Sequence, residues 1–330
     1  MTLRLGLRVA ALALLALGAM CAALLVGATP IPAGSIAAAL AHPQATDAVS
    51  VIVWQLRLPR ICDVAFVGAA LAIAGTLLQG LLRNPLVDPY LTGVSAGAAA
   101  AIAVSLLLGV SAVATPGIGF AAGLGTAVLV AALARRGSGL DAQRLILAGV
   151  SLSAFFSAIV ALAIVSSQSG SYANAIIGWL AGSPAGRTWR DVWLCLPYAA
   201  FACALVVPAV PALNALRIGD VQARSVGVNV ERAQWLVLAA AALLAACSVE
   251  LAGLIGFVGL IVPHAGRKIV GTDVRFLLPA SAFAGALLCV LADAVCRTIV
   301  APAELPIGVL LAFIGVPVFL WLFLRTGSER

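Results

Sequence analysis

Charge is what this sequence has least of. Asp, Glu, Lys and Arg make up 9% of its 330 residues, where a soluble domain carries about 25%. So few charges do not cover a water-facing surface, and no long polar stretch marks a soluble unit. Histidine is nearly absent: His42 and His264 are far apart and form no cluster, which speaks against a metal site. The seven cysteines contain no CxxC pair and their number is odd, so neither a zinc site nor a disulfide framework is expected. They lie in or beside apolar runs and read as small core hydrophobes. No nucleophile-base pair is visible, so no catalytic residue is assigned and the chain is not read as an enzyme. A Gly-rich Lys-Ser/Thr phosphate loop is missing too, so the chain is not expected to hold ATP that way. The net charge of +7 comes without a basic run or an aromatic-interleaved patch, which argues against nucleic acid.

What is present is apolar residue in long stretches: 63% of the chain is hydrophobic and 32 residues are glycine. Glycine lets helix backbones approach closely in lipid, where dispersion drives packing. The expected fold is an all-α polytopic membrane protein, one transmembrane domain over residues 1–330. A crossing needs about 20 apolar residues, which predicts about ten spans: 7–27, 61–82, 91–110, 117–135, 145–166, 192–213, 232–250, 253–267, 276–297 and 306–325. The first is longer than a signal peptide's apolar region of about 7–15 residues, and Ala19-Met20-Cys21 is a poor lipoprotein cleavage site; it is read as retained. The eighth is short and carries Gly253, Gly256 and Gly259 at every third position.

Cations orient the spans. With both termini in the cytoplasm, 14 Lys and Arg fall inside and 5 outside, while the acids divide six and six. Spans two to five and seven to ten would then be units of opposite topology, an inverted repeat common among transporters. The central parts of these spans carry no Asp, Glu, Lys or Arg; Asp63, Glu250 and Asp293 sit near outer ends. A proton- or sodium-coupled carrier usually needs such a group at the midplane, so a secondary carrier is the alternative reading.

Three features fall outside plain spans. Arg57, Arg60 and Arg297 are positive charges on the outer side, where lipid snorkelling competes with docking of an acidic partner. The inner stretch 214–232 is the longest polar one on its side, and Gly219 and Gly227 would bound a short helix with Ala223 and Val226 on its apolar face. Asn84-Pro85-Leu86 and Val262-Pro263-His264 are expected helix breaks, since proline removes a backbone donor.

Several long motifs in order then resemble a known family. RLPR at 57–60, GAALAIAG at 68–75, Gln79, RNPLVDP at 83–89 and GVSAGA at 93–98 belong to the likeness. GFVGLIVPH at 256–264 with Arg267, LLPASAFAGA at 277–286, LAD at 291–293 with Arg297, ELPIG at 304–308 and GVPVF at 315–319 continue it. Together they are similar to the permeases of ATP-binding-cassette importers for ferric siderophores, haem and cobalamin (the FecCD/BtuC type). The resemblance implies ten spans per subunit in a bacterial inner membrane and a homodimer enclosing the path. It implies two ATPase subunits below, which hold ATP and Mg, and a periplasmic or surface-anchored substrate-binding protein outside. By the same likeness, Arg57, Arg60 and Arg297 receive glutamates of the binding protein. Arg217, Gly219, Asp220, Ala223, Val226 and Gly227 form the helix that couples to the ATPase. Asn84, Pro85 and Leu86, with Ala142 and Gln143, fall at the cytoplasmic gate. Two departures stand out: Val226 replaces the usual leucine, and Ala142 and Gln143 stand where small hydroxyl residues are frequent.

Overall fold

In lipid a helix apolar all round can face outward as well as inward, so burial marks the middle of the bundle, and two helices have it. In the computed structural model the chain runs as α1 (Thr2–Leu25), α2 (Ala33–Ala41), α3 (Ala48–Val51), α4 (Leu58–Leu81), α5 (Val94–Leu107), α6 (Thr115–Ala134), α7 (Ala142–Ser166), α8 (Gly170–Leu180), α9 (Trp189–Leu216), α10 (Asp220–Ser225), α11 (Val230–Ala252), α12 (Val258–Val270), α13 (Val274–Cys296) and α14 (Ile307–Gly327). The structure describes all residues except Met1, Ala28, 44–46, Ala112, 137–138, 168–169, Pro302 and 328–330; Glu329 and Arg330, counted above on the inner side, lie outside the described residues. A two-stranded hairpin, β1 (Arg135–Arg136) with β2 (Gly139–Leu140), joins α6 to α7. A π-helical turn over Ile52–Arg57 leads α3 into α4, so that Ala48–Leu81 forms one long rod.

α4 and α11 are the two central helices. Their apolar stretches are 78% buried, against 17% for α7 and 22% for α1. α4 is walled by α13, α11, α12 and α9. Two glycine pairs set its closest approaches. A Cβ on Gly75 would lie 1.9 Å from the Gly259 carbonyl oxygen, and one on Gly68 would lie 2.2 Å from that of Gly285. Only glycine allows backbones this near, which is how helices gain contact where lipid removes the hydrophobic drive. The peripheral helices instead turn large apolar side chains outward, among them Leu14 on α1, Phe155 on α7 and Phe201 on α9.

Among the described residues seven helices are long and apolar enough to cross a membrane: α1, Ala48–Leu81, α6, α7, α9, α11 and α13. The chain is an integral membrane protein on that ground. The third and eighth expected spans are shorter. α5 has 14 residues and α12 has 13, so they rise about 20 Å each at ~1.5 Å per residue. α14, for the tenth, has 21 residues and is apolar over Ile307–Trp321.

The eighth expected span, 253–267, needs correcting in detail. Its break lies upstream of Pro263, over Gly253–Phe257, where Gly253 has φ 69° and Phe257 φ 68°. Pro263 itself sits inside α12. Its missing N–H would have paired with the carbonyl of Gly259, four residues back. That carbonyl accepts instead from Gln79 Nε2 at 3.1 Å, so the helix continues. Asn84-Pro85, by contrast, does follow a helix end: α4 stops at Leu81, and Arg83 takes φ 51°.

After that turn the chain does not stay on the surface. Gln79 Nε2 also donates to the Val87 carbonyl. Pro89 packs on Gly259, and a Cβ at Gly149 would strike the Leu91 carbonyl. Ile255 N donates to the Tyr90 hydroxyl at 3.3 Å. Since Gly259 faces Leu71 and Gly75, Pro89 lies roughly 9–15 Å up α4 from its inner end. Residues 86–93 thus re-enter the bundle, and the short 3₁₀ turn Pro89–Thr92 completes what α5 lacks in length. Asp88, whose carboxylate caps that turn through Tyr90 N, is carried into the body with it. Backbone this irregular is stable at depth only when enclosed in protein or along a cavity.

Candidate functional site

The outer end is built around the last turn of α1. Its final carbonyls have no partners within the helix, and it carries no basic residue in that turn. Two arginines from distant elements supply the donors. Arg57, at the π turn, donates to the carbonyls of Leu24 and Thr29. Arg297, at the end of α13, donates to Val26 at 2.9 Å and to Ala23. Cations at a helix C-terminus also suit its dipole. Both side chains are buried, with Arg57 6% and Arg297 4% exposed. Neither snorkels.

Asp293, itself buried, sits between Arg297 and Arg60. Its Oδ2 lies 2.9 Å from Arg297 Nε, one turn along α13. Its Oδ1 accepts from Arg60 Nε and Nη2 at 3.0 and 2.9 Å. Arg60 Nη1 then reaches both oxygens of Glu304, which is a third exposed. Arg60 and Arg297 therefore gather around an internal carboxylate, while Arg57 joins Arg297 at the end of α1. Among the described residues, only Arg60 of the three has a charged partner at the surface. Neighbouring Asp63 is fully buried, and among the described residues neither carboxylate oxygen has a hydrogen-bond partner. Trp54 Nε1 to the Ala39 carbonyl and Trp189 Nε1 to the Trp54 carbonyl bind this outer layer together.

At the inner end, Gly219 (φ 139°) and Gly227 (φ 83°) bracket α10 as expected. Ala223 is fully buried and packs inward, so it is no part of an outward face. The exposed apolar surface consists of Ile218, Val221 and Val226, each more than 70% exposed. Asp220 pairs with Arg83 at 2.9 Å, tying α10 to the end of α4. Arg217 donates to the Thr272 carbonyl between α12 and α13. Asp273 beside it is held below the usual carboxylate range, first by the Arg275 backbone N–H and then by Asn214.

The predicted gate residues lie at the inner ends of two helices. Asn84, Pro85 and Leu86 follow α4, with Leu86 N on Asn84 Oδ1. Ala142 and Gln143 open α7, which Asp141 caps through Arg144 N. α7 meets the re-entrant segment higher up, where Leu91 abuts Gly149. Beside that junction is a cavity of about 540 Å³ lined by Asp88, Tyr90, Ser95, Ser153, Ser157 and Leu254, among others.

Sequence reasoning gave no role to Gln79. Its amide donates to Val87, Gly259 and Leu260, and its Oε1 accepts from Arg267 at 2.6 Å. One polar side chain so joins α4, the re-entrant segment and α12. The available signal was a lone amide in a Gly-Ala-Leu run ahead of a proline-bearing partner. Asp293 could have been found from its spacing of four to Arg297; Glu304 could not.

The FecCD transport family profile matches residues 14–325 of this chain. The cobalamin import system permease protein BtuC of Halobacterium salinarum is 40% identical over 298 residues, covering 90% of this chain and 80% of that one. The Fe(3+) dicitrate transport system permease protein FecC of Escherichia coli K12 is 36% identical over 304 residues, 91% of each. A solved structure described as an inward-facing conformation, assigned to a metal-chelate type ABC transporter, superposes with a TM-score of 0.86. It is 32% identical, covering 96% of this chain and 98% of that one.

Proposed function

The chain belongs to the FecCD transport family, and on that premise we propose that it is the transmembrane permease subunit of a binding-protein-dependent ABC importer. Its cargo is a metal chelate or corrinoid: a ferric siderophore, haem or cobalamin. The observation that carries this reading is the family match across nearly the whole chain. Two copies enclose the path, two ATPase subunits holding Mg and ATP sit beneath, and a substrate-binding protein docks outside. The subunit crosses the inner membrane ten times, α5, α12 and α14 included, with both termini inside. Spans two to five and seven to ten repeat in inverted orientation.

Each end has a physical role in this cycle. The ATPase grips the apolar knobs Ile218, Val221 and Val226. Movement of α10 then reaches α4 directly, through Asp220 and Arg83, and α4 is the helix around which the others pack. Outside, docking works by carboxylate exchange: a glutamate of the binding protein displaces Glu304 from Arg60. Arg57 and Arg297 contribute by holding the end of α1 and keeping the surface in shape. The cavity beside Asp88 lies on the path, and Asn84–Leu86 with Ala142 and Gln143 close it on the inner side.

Reconstitution in vesicles with the ATPase and the binding protein tests the reading. Uptake of a ferric chelate or cobalamin should require ATP inside the ATPase compartment and no ion gradient. Uptake driven by a proton or sodium gradient without ATP would instead make the chain a secondary carrier. Arg60→Glu should weaken binding-protein association, most at low salt; unchanged association removes the docking role.

A further inference from the structure

On the α10 side of the molecule a cleft of about 250 Å³ opens between the end of α4, the end of α9, α12 and the start of α13. Arg83, Arg217 and Arg267 line it, with Thr76, Gln79 and Val274 among the other walls. Charge in it is unbalanced. Arg267 is bonded to a neutral amide oxygen, that of Gln79. Arg217 is bonded to a neutral carbonyl, that of Thr272. The nearby acids are engaged elsewhere: Asp220 with Arg83, and Asp273 with Asn214 and the Arg275 backbone. Among the described residues no carboxylate lines the recess that the two guanidiniums share, and Asp273, near Arg217, lies outside that lining. Guanidinium is a rigid fork with five donors, and these two have donors to spare. Like charges held together are stabilised by an anion that bridges them.

The geometry points to an anion site in this cleft that takes a phosphate group. Tetrahedral phosphate matches two converging arginine forks, because each can donate two parallel bonds to it. Val274, in the first turn of α13, stands on the same wall; that helix end is already capped by Asp273 and Asn214, so the arginines alone supply the positive charge. Leu277 supplies an apolar flank, as a phosphodiester also needs. The phosphate is carried either by a phospholipid headgroup or by a free ion. Since Arg217 leads into α10, occupancy of the site would stiffen the segment on which the ATPase is proposed to act; the site itself does not depend on that reading.

The test uses the full-length protein in detergent and in lipid nanodiscs, at constant ionic strength. Saturating inorganic phosphate, or phosphatidylglycerol, whose phosphodiester has no cation of its own, in place of zwitterionic phosphatidylcholine, should raise Tm by roughly 2–4 °C. A rise with inorganic phosphate identifies a free ion as sufficient; a rise with phosphatidylglycerol alone identifies the lipid headgroup. The shift should vanish in R217Q and R267Q. Arg267→Lys retains charge and a donor for Gln79 but loses the fork, and should weaken phosphate at least tenfold. No shift in either arm, or an undiminished shift in both R267K and the R217Q/R267Q double variant, overturns the site. An equal shift with acetate overturns the phosphate assignment and favours a carboxylate from a protein partner.

Discussion

Replacing Asp293 by asparagine strips the outer end of the carboxylate shared by Arg60 and Arg297. Both contacts measure 2.9 Å, which corresponds to ~6 kcal/mol of attraction each at an effective dielectric of about 20. Most of that is offset by desolvating three ions and by repulsion between the guanidiniums. What remains after the substitution decides the outcome. Arg60 keeps Glu304. Arg297, whose side chain is 5% exposed, keeps only the carbonyls of Val26 and Ala23. A buried cation stripped of its counter-ion costs about 3–5 kcal/mol, so Asp293→Asn should lose that much. The measurement is unfolding of the purified protein in mixed micelles by titrating a denaturing detergent, followed by circular dichroism. Glu304→Gln is the control: its exposed ion pair should cost no more than ~1 kcal/mol. A double variant, Asp293→Asn with Arg297→Met, removes the stranded charge and should regain about 2 kcal/mol over Asp293→Asn alone. If Asp293→Asn costs no more than Glu304→Gln, or the double variant is no better than the single, the carboxylate does not hold this end together.

Two further substitutions probe the bundle and its inner face. Gly75→Ala puts a methyl 1.9 Å from the Gly259 carbonyl; backbone cannot yield as a side chain does, so the loss should exceed the ~1–3 kcal/mol of ordinary overpacking. Gly125→Ala, which meets nothing within 4 Å, should be neutral or slightly stabilising in the same detergent titration. On α10, Val221→Asp with Val226→Asp should leave the fold intact and abolish ATP-driven uptake, whereas Ala223→Asp buries a carboxylate and should lower Tm. Equal thermal losses from both would show that Val221 and Val226 are not the free face.

Composition alone settles the solvent. With 9% charge the chain belongs in a membrane, where helices or closed barrels satisfy the backbone; apolar runs of about 20 residues select helices, and glycine punctuation helps to place them. The limits of that reading are physical. A break was expected at Pro263, but whether a proline ends a helix depends on what takes the freed carbonyl, and Gln79 lies 180 residues away in sequence. Residues 87–90 fall between the expected break at 84–86 and a span expected from 91, because nothing local says that Gly259 and Gly149 leave room for this stretch in the bundle.

The arginines show the division most plainly. Sequence by itself determined that Arg57, Arg60 and Arg297 belong to one end of the molecule, because span polarity is a local property of apolar length and charge. Only the tertiary structure decided which way they point. A guanidinium goes to the densest unsatisfied oxygen in reach, and here that is the open end of α1 and the carboxylate of Asp293. Those oxygens come from elements more than 20 residues away from Arg57 and more than 200 from Arg60. Packing brings them together, and the chain records only the four-residue step from Asp293 to Arg297.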